Sequence, residues 1–144
     1  QHDPKFLDEM CDALDSSGAD MIIGSRFIKK EGFQSTFARQ VGIRYFTWLI
    51  RRVTHNTITD PTSGLRMVGR KLIVDFSEVY PKDYPEPEST VYALKNGLNI
   101  VEMPVIMRSR QGGKTSINIK KSVYYMIKVT FAILMEGIRN HVRQ

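Results

Sequence analysis

The sequence is poor in the residues that most often announce chemistry. Its 144 residues include one cysteine, Cys11, so no internal disulfide and no zinc finger can form. Cys11 sits in the helical spacing Phe6, Leu7, Met10, Cys11, Leu14, which reads as a buried packing thiol and not a nucleophile. His2, His55 and His141 are far apart in the chain. There is no Gly-x-Ser-x-Gly elbow, and Gly112-Gly113 lacks the spacing of a phosphate-binding P-loop. The most apolar stretch, 123–135, is interrupted by Lys128 and is too short to span a bilayer. No repeat, low-complexity tract or signal peptide is visible. A reducing, cytoplasmic setting is the expectation from one cysteine.

What the sequence does have is positive charge. Its net charge is +6, which favours anionic partners: nucleic acid, phosphorylated substrates or an acidic membrane surface. The length suits one domain with a modest core.

The spacing predicts an α/β fold. Asp3 and Pro4 can open a helix over 3–16 that stops at Gly18. Residues 19–24, Ala-Asp-Met-Ile-Ile-Gly, read as a buried strand. Ser25 and Arg26 leave it at the edge where α/β proteins usually bind ligands. A long helix follows over 35–53, with Phe37, Val41, Tyr45, Trp48 and Leu49 at helical spacing and Arg39, Arg44, Arg51 and Arg52 between them. Residues 59–64 form a turn, 65–68 a short strand and 70–76 a short helix. Residues 82–87 read as irregular, 88–96 as a helix ending at Gly97, and 99–107 as a strand. The last helix, over 117–142, gathers Ile119, Val123, Met126, Ile127, Phe131, Leu134 and Ile138 on one broad face, expected to pack on the core or to lie at a membrane interface.

Polar clusters punctuate this order: Gln1-His2-Asp3-Pro4, Gly24-Ser25-Arg26, Asp60-Pro61-Thr62-Ser63-Gly64-Leu65-Arg66, Tyr84-Pro85-Glu86-Pro87-Glu88, and Arg110-Gln111-Gly112-Gly113-Lys114-Thr115-Ser116. Each alone has a structural explanation as a cap, turn or solvated loop. In this order they resemble family 2 glycosyltransferases of the GT-A fold, especially the polyprenyl- and dolichol-phosphate glycosyltransferases and bacterial cell-surface polysaccharide enzymes.

The resemblance implies the C-terminal half of a GT-A domain, a partial mixed sheet flanked by helices. Residues 1–116 would be its acceptor side and 117–144 a C-terminal amphipathic helix. It implies transfer of a sugar from a nucleotide sugar, with inversion, to a polyprenyl phosphate or surface glycan. Mg²⁺ or Mn²⁺ would serve the intact parent. The metal-binding Asp-x-Asp of such enzymes stands just before Gln1, whose counterpart helps to bind the metal in some relatives. One amide oxygen is not a metal site, so no metal is expected on these residues alone. The chain is thus expected to be an inactive fragment of a larger enzyme.

An acceptor hydroxyl would need a carboxylate base. Glu88 is favoured, then Glu86, with Asp60 third. By resemblance Ser63 and Gly64 shape the acceptor pocket, and Arg26, Arg110 and Lys114 meet the donor diphosphate or a lipid phosphate. The rival expectation is a non-catalytic basic module that binds a membrane surface or a nucleic acid, the membrane surface being favoured. Nucleic acid is not an expected partner, because no basic–aromatic strand motif is present. A sheet lacking its first strands would expose an edge, so self-association is expected. The inner face of the cell membrane is the expected place of any peripheral contact.

Overall fold

The computed structural model describes residues 4–32, 36–78, 80, 85–107 and 119–139. Among them the chain forms α1 (Phe6–Ser17), β1 (Met21–Ser25), α2 (Phe37–Thr54), β2 (Arg66–Val68), α3 (Arg70–Glu78), α4 (Pro85–Lys95), β3 (Ile100–Pro104) and α5 (Ile119–Ile138). The fold is α/β, with a three-stranded mixed sheet in the order β2-β1-β3. β1 is central and buried throughout. It runs antiparallel to β2, with Met21 opposite Val68 and Ile23 opposite Arg66. It runs parallel to β3, from Met21 opposite Ile100 to Ser25 opposite Pro104. The parallel pair is closed at one end by Asp20 N–H donating to Asn99 O at 2.8 Å and Asn99 N–H donating to Asp20 Oδ2 at 2.9 Å.

The alternation of β1 divides the core. Met21 and Ile23 pack with Ile58, Leu72, Ala93 and Leu98 on one face of the sheet. Ile22 packs with Met10 and Ala19 on the other, beneath α1. A third cluster joins the helices: Phe46, Leu49 and Ile50 of α2, Val91 of α4, and Val129 and Ile133 of α5.

Three expectations need correction. Cys11 is exposed, because α1 buries the stripe of Phe6 and Met10 with Ala13 and Leu14 partly covered. Leu7 and Cys11 lie one residue round the helix, and Leu7 is exposed too. Residues 85–87 are helical, not irregular. Pro85 and Pro87 fall in the first turn of α4, where backbone N–H groups have no partner within the helix. Of the two placements expected for the apolar face of α5, core packing does not hold for most of it, and on α2 only Tyr45 and Leu49 of the expected set pack inward. Phe37, Val41 and Trp48 are exposed, as are Val123, Ile127, Phe131, Leu134 and Ile138.

The reason lies in two glycines. A Cβ at Gly42 would stand 3.2 Å from Met126 Sδ, and one at Gly137 would collide with Val53 Cγ1. These bare positions let α2 and α5 close on the face that carries them, although both helices have apolar residues elsewhere. Gly137→Val should force the pair apart and destabilise the fold by about 1–3 kcal/mol. A urea titration should show the midpoint falling, and an unchanged midpoint would mean that the helices do not meet there.

Candidate functional site

The polar residues collect where β1 ends. Arg26 follows the strand and turns inward to Asp60. Its Nε donates to Asp60 Oδ2 at 2.6 Å and its Nη2 to Asp60 Oδ1 at 2.7 Å, a two-pronged pair. Nη2 also reaches Thr62 Oγ1 at 3.1 Å, and the Arg26 N–H donates to Asp60 Oδ2 at 3.2 Å. The side chains are 6% and 0% exposed. The guanidinium edge that a diphosphate would need is thus already occupied, and so are both carboxylate oxygens of Asp60.

β3 supplies a second anion to the same turn. Glu102 accepts from the Thr59 N–H at 2.8 Å, from the Asp60 N–H at 2.9 Å and from Thr59 Oγ1 at 3.0 Å. Ser25 Oγ and Thr59 Oγ1 are 2.6 Å apart. The Thr59 hydrogen goes to Glu102, so Ser25 is the donor of that bond. Ser63 is buried and donates to Gly24 O at 2.6 Å, which fastens the far end of the turn to β1. A Cβ at Gly24 would come within 3.0 Å of both Leu65 and Val105, so glycine lets the turn and the end of β3 close over the strand.

Arg66, the first residue of β2, completes the set. Its Nε donates to Ser63 O at 2.7 Å, its Nη2 to Pro61 O at 2.8 Å and its Nη1 to Ser89 Oγ at 3.0 Å. Burial pushes the Arg66 guanidinium down to about 10, while Glu86, Tyr80, Asp60 and Glu102 act to raise it. It remains a cation at neutral pH.

Of the expected carboxylates, Glu86 faces this turn: its Oε1 lies 4.0 Å from where a Cβ on Gly64 would stand. Glu88 is two residues further along α4 and therefore about 200° round the helix. Gly64 is exposed and Ser63 is not. Gln1, Arg110 and Lys114 lie outside the described residues.

The turn opens onto a groove of about 520 Å³ bounded by α2. Phe27, Ile43 and Trp48 give it apolar and aromatic walls, Lys30, Arg44 and Arg51 give it charge, and Thr59 forms one end. Trp48 and Arg51 also line a neighbouring cavity with Arg52 and His55. In the sequence Arg66 is marked as the end of the polar segment 60–66 but assigned no role, and Glu102 is not singled out. Glu102 carried a signal, an acid amid the apolar strand residues Ile100, Val101 and Met103. The groove carried a partial signal, the cations Arg44 and Arg51 beside Trp48 on α2, but not the closure by Phe27, Lys30 and Thr59.

Among the described residues, no group of three or more His, Cys, Asp or Glu could hold a metal ion. Asp60 and Glu102 direct their oxygens to protein donors. Asp60 and Glu102 therefore offer no open ligand to a divalent cation. Among the described residues, no helix is long and apolar enough to cross a membrane.

The chain is similar to a polyprenol monophosphomannose synthase from Mycolicibacterium smegmatis, 29% identical over 140 residues that cover 85% of this chain and 49% of that protein. The chain thus spans about half the length of the curated relative it matches. No family model matches the chain. No solved structure matches it either.

Proposed function

We propose that the chain belongs to a glycosyltransferase of the GT-A type that moves a sugar, with inversion, from a nucleotide sugar to a polyprenyl phosphate. The observation that carries this reading is the groove beside Thr59, which combines Lys30, Arg44 and Arg51 with the apolar walls of Phe27, Ile43 and Trp48. A phosphorylated lipid has that mixed character: an anion for the cations and a hydrocarbon for the walls. The similarity to a polyprenol monophosphomannose synthase supports the same acceptor class.

In the proposed reaction a phosphate oxygen of the acceptor attacks the anomeric carbon of the sugar. The new carbon–oxygen bond forms as the bond to the nucleoside diphosphate breaks, and the electron pair leaves with the diphosphate. Two anions must meet in this step, so fixed cations lower its barrier. Lys30, Arg44 and Arg51 offset the acceptor's charge. The Arg26–Asp60 pair holds the turn that ends the groove.

The exposed apolar residues of α2 and α5 favour a peripheral contact with the membrane that carries such a lipid. Phe37, Val41 and Trp48 on one helix and Val123, Ile127, Phe131 and Ile138 on the other are exposed. This contact accompanies catalysis in our reading, at the inner face of the cell membrane.

The test is transfer of labelled sugar by the full-length protein, in detergent with polyprenyl phosphate and a panel of nucleotide sugars. Labelled sugar lipid is the expected product, and none from any donor would remove the reading. The carboxylates then refine the acceptor class. A phosphate acceptor is already ionised and needs no base. Glu86→Gln and Glu88→Gln should therefore leave its transfer within about tenfold of wild type, whereas a loss of about 10²–10⁴-fold for either would mark a base acting on a hydroxyl.

A further inference from the structure

We propose that Arg66 is a positioning residue that ties the turn at 60–64 to the first turn of α4 and so sets Glu86 over Gly64. What this contributes to sugar transfer rests on the function proposed above; the tie itself does not.

The guanidinium holds three partners on three sides. Two are carbonyls of the turn, Ser63 O at 2.7 Å and Pro61 O at 2.8 Å. The third is the Ser89 hydroxyl on α4 at 3.0 Å. Ser89 Oγ in turn donates to Glu86 O at 3.2 Å, so its lone pair is what receives Arg66. The connection therefore runs from the turn's carbonyls through Arg66 and Ser89 to the backbone of Glu86. These side-chain bonds join the turn to α4. The Glu86 carboxylate lies beside Gly64, its Oε1 4.0 Å from where a Cβ there would stand.

The surrounding charges fit the assignment. Glu86 on α4, Tyr80 after α3, Asp60 in the turn and Glu102 on β3 are the negative or titratable groups that act on Arg66, with Glu86 foremost. Asp60 is held by Arg26, and Glu102 by the amides of Thr59 and Asp60. Arginine is needed because three directed donors on a rigid fork reach three fixed acceptors. A lysine ammonium on a flexible stem can satisfy only part of that set.

The test is hydrogen–deuterium exchange on the full-length protein, comparing wild type with Arg66→Met, Arg66→Lys and Ser89→Ala. In Arg66→Met, the amides of Ser63 and Leu65 and those of Ser89 and Thr90 should all exchange about tenfold faster or more, since a lost hydrogen bond to a charged group opens both of its ends. Arg66→Lys should fall between. Ser89→Ala, the milder change, should release the α4 amides and leave the turn amides closer to wild type. Faster exchange in the turn with α4 unchanged would overturn the proposal, and so would no change in either. If Arg66→Met loses its cooperative unfolding, Ser89→Ala decides: unaltered α4 amides sink the tie. Labelled transfer supplies the second readout. Arg66→Met should lower kcat about tenfold with the nucleotide-sugar KM little altered, and Arg66→Lys should recover part of the loss. Should wild type transfer no sugar, the function proposed above falls, and the exchange data still judge the tie.

Discussion

Asp60→Ala is expected to destabilise the protein by about 3–5 kcal/mol, because it removes one half of a buried ion pair and leaves the other half charged. Arg26 is 5% exposed and Asp60 is fully buried, so solvent does little to soften the loss. Two guanidinium nitrogens and the Arg26 N–H would lose their acceptor together. A fold of this size has about 5–15 kcal/mol of total stability, so the variant should be near the edge of folding. The urea midpoint should drop with the slope unchanged. A loss below about 1 kcal/mol would mean that Arg26 escapes to water, which the enclosed pair makes unfavourable. The double variant Arg26→Met/Asp60→Leu should recover much of the loss, since it removes both charges and keeps the volume.

The second large effect concerns the acceptor. Arg44 and Arg51 both line the groove and are seven residues apart on α2, two turns along one side of the helix. Arg44→Glu/Arg51→Glu reverses two charges, a change of four units facing the proposed phosphate. Two exposed pairs at up to about 1 kcal/mol each come to about 2 kcal/mol, so the KM for polyprenyl phosphate should rise by about thirtyfold from the lost attraction alone. Both arginines are exposed, so stability should move by less than about 0.5 kcal/mol. The wild-type KM should itself rise with salt while the variant's should not, because the attraction that salt screens is gone. Equal KM values for wild type and variant would place the acceptor elsewhere.

The elements were legible in the sequence and their orientation was not. β1 announced itself as a short apolar run between glycines, and α2 and α5 by helical spacing. What spacing could not say is which apolar side of α2 and α5 faces inward, because each has more than one. Met126, Val129 and Ile133 pack inward although Ile127, Phe131 and Ile138 make an equally good stripe. The choice falls to Gly42 and Gly137, whose missing side chains matter only once the partner helix is known. The site divides in the same way. The turn at 59–64 and Arg26 were recognisable as polar segments at a strand end. Their pairing joins residues 34 apart in the chain, and no local pattern encodes it. Arg66 closes a recognisable polar segment and Glu102 stands out among apolar strand residues, but the carbonyls and amides they meet come from other parts of the chain.

The sheet order has a consequence for how the chain is made. β1 is made well before its parallel neighbour, and the bond from Asn99 to Asp20 closes a gap of 79 residues. At about 5–20 residues per second, a strand of Met, Ile and Ile waits some seconds on the ribosome before β3 can cover its flank. α1 and later β2 can shield it meanwhile, from one face and one edge. Until β3 is made, the edge of β1 that it will cover can pair with other strands.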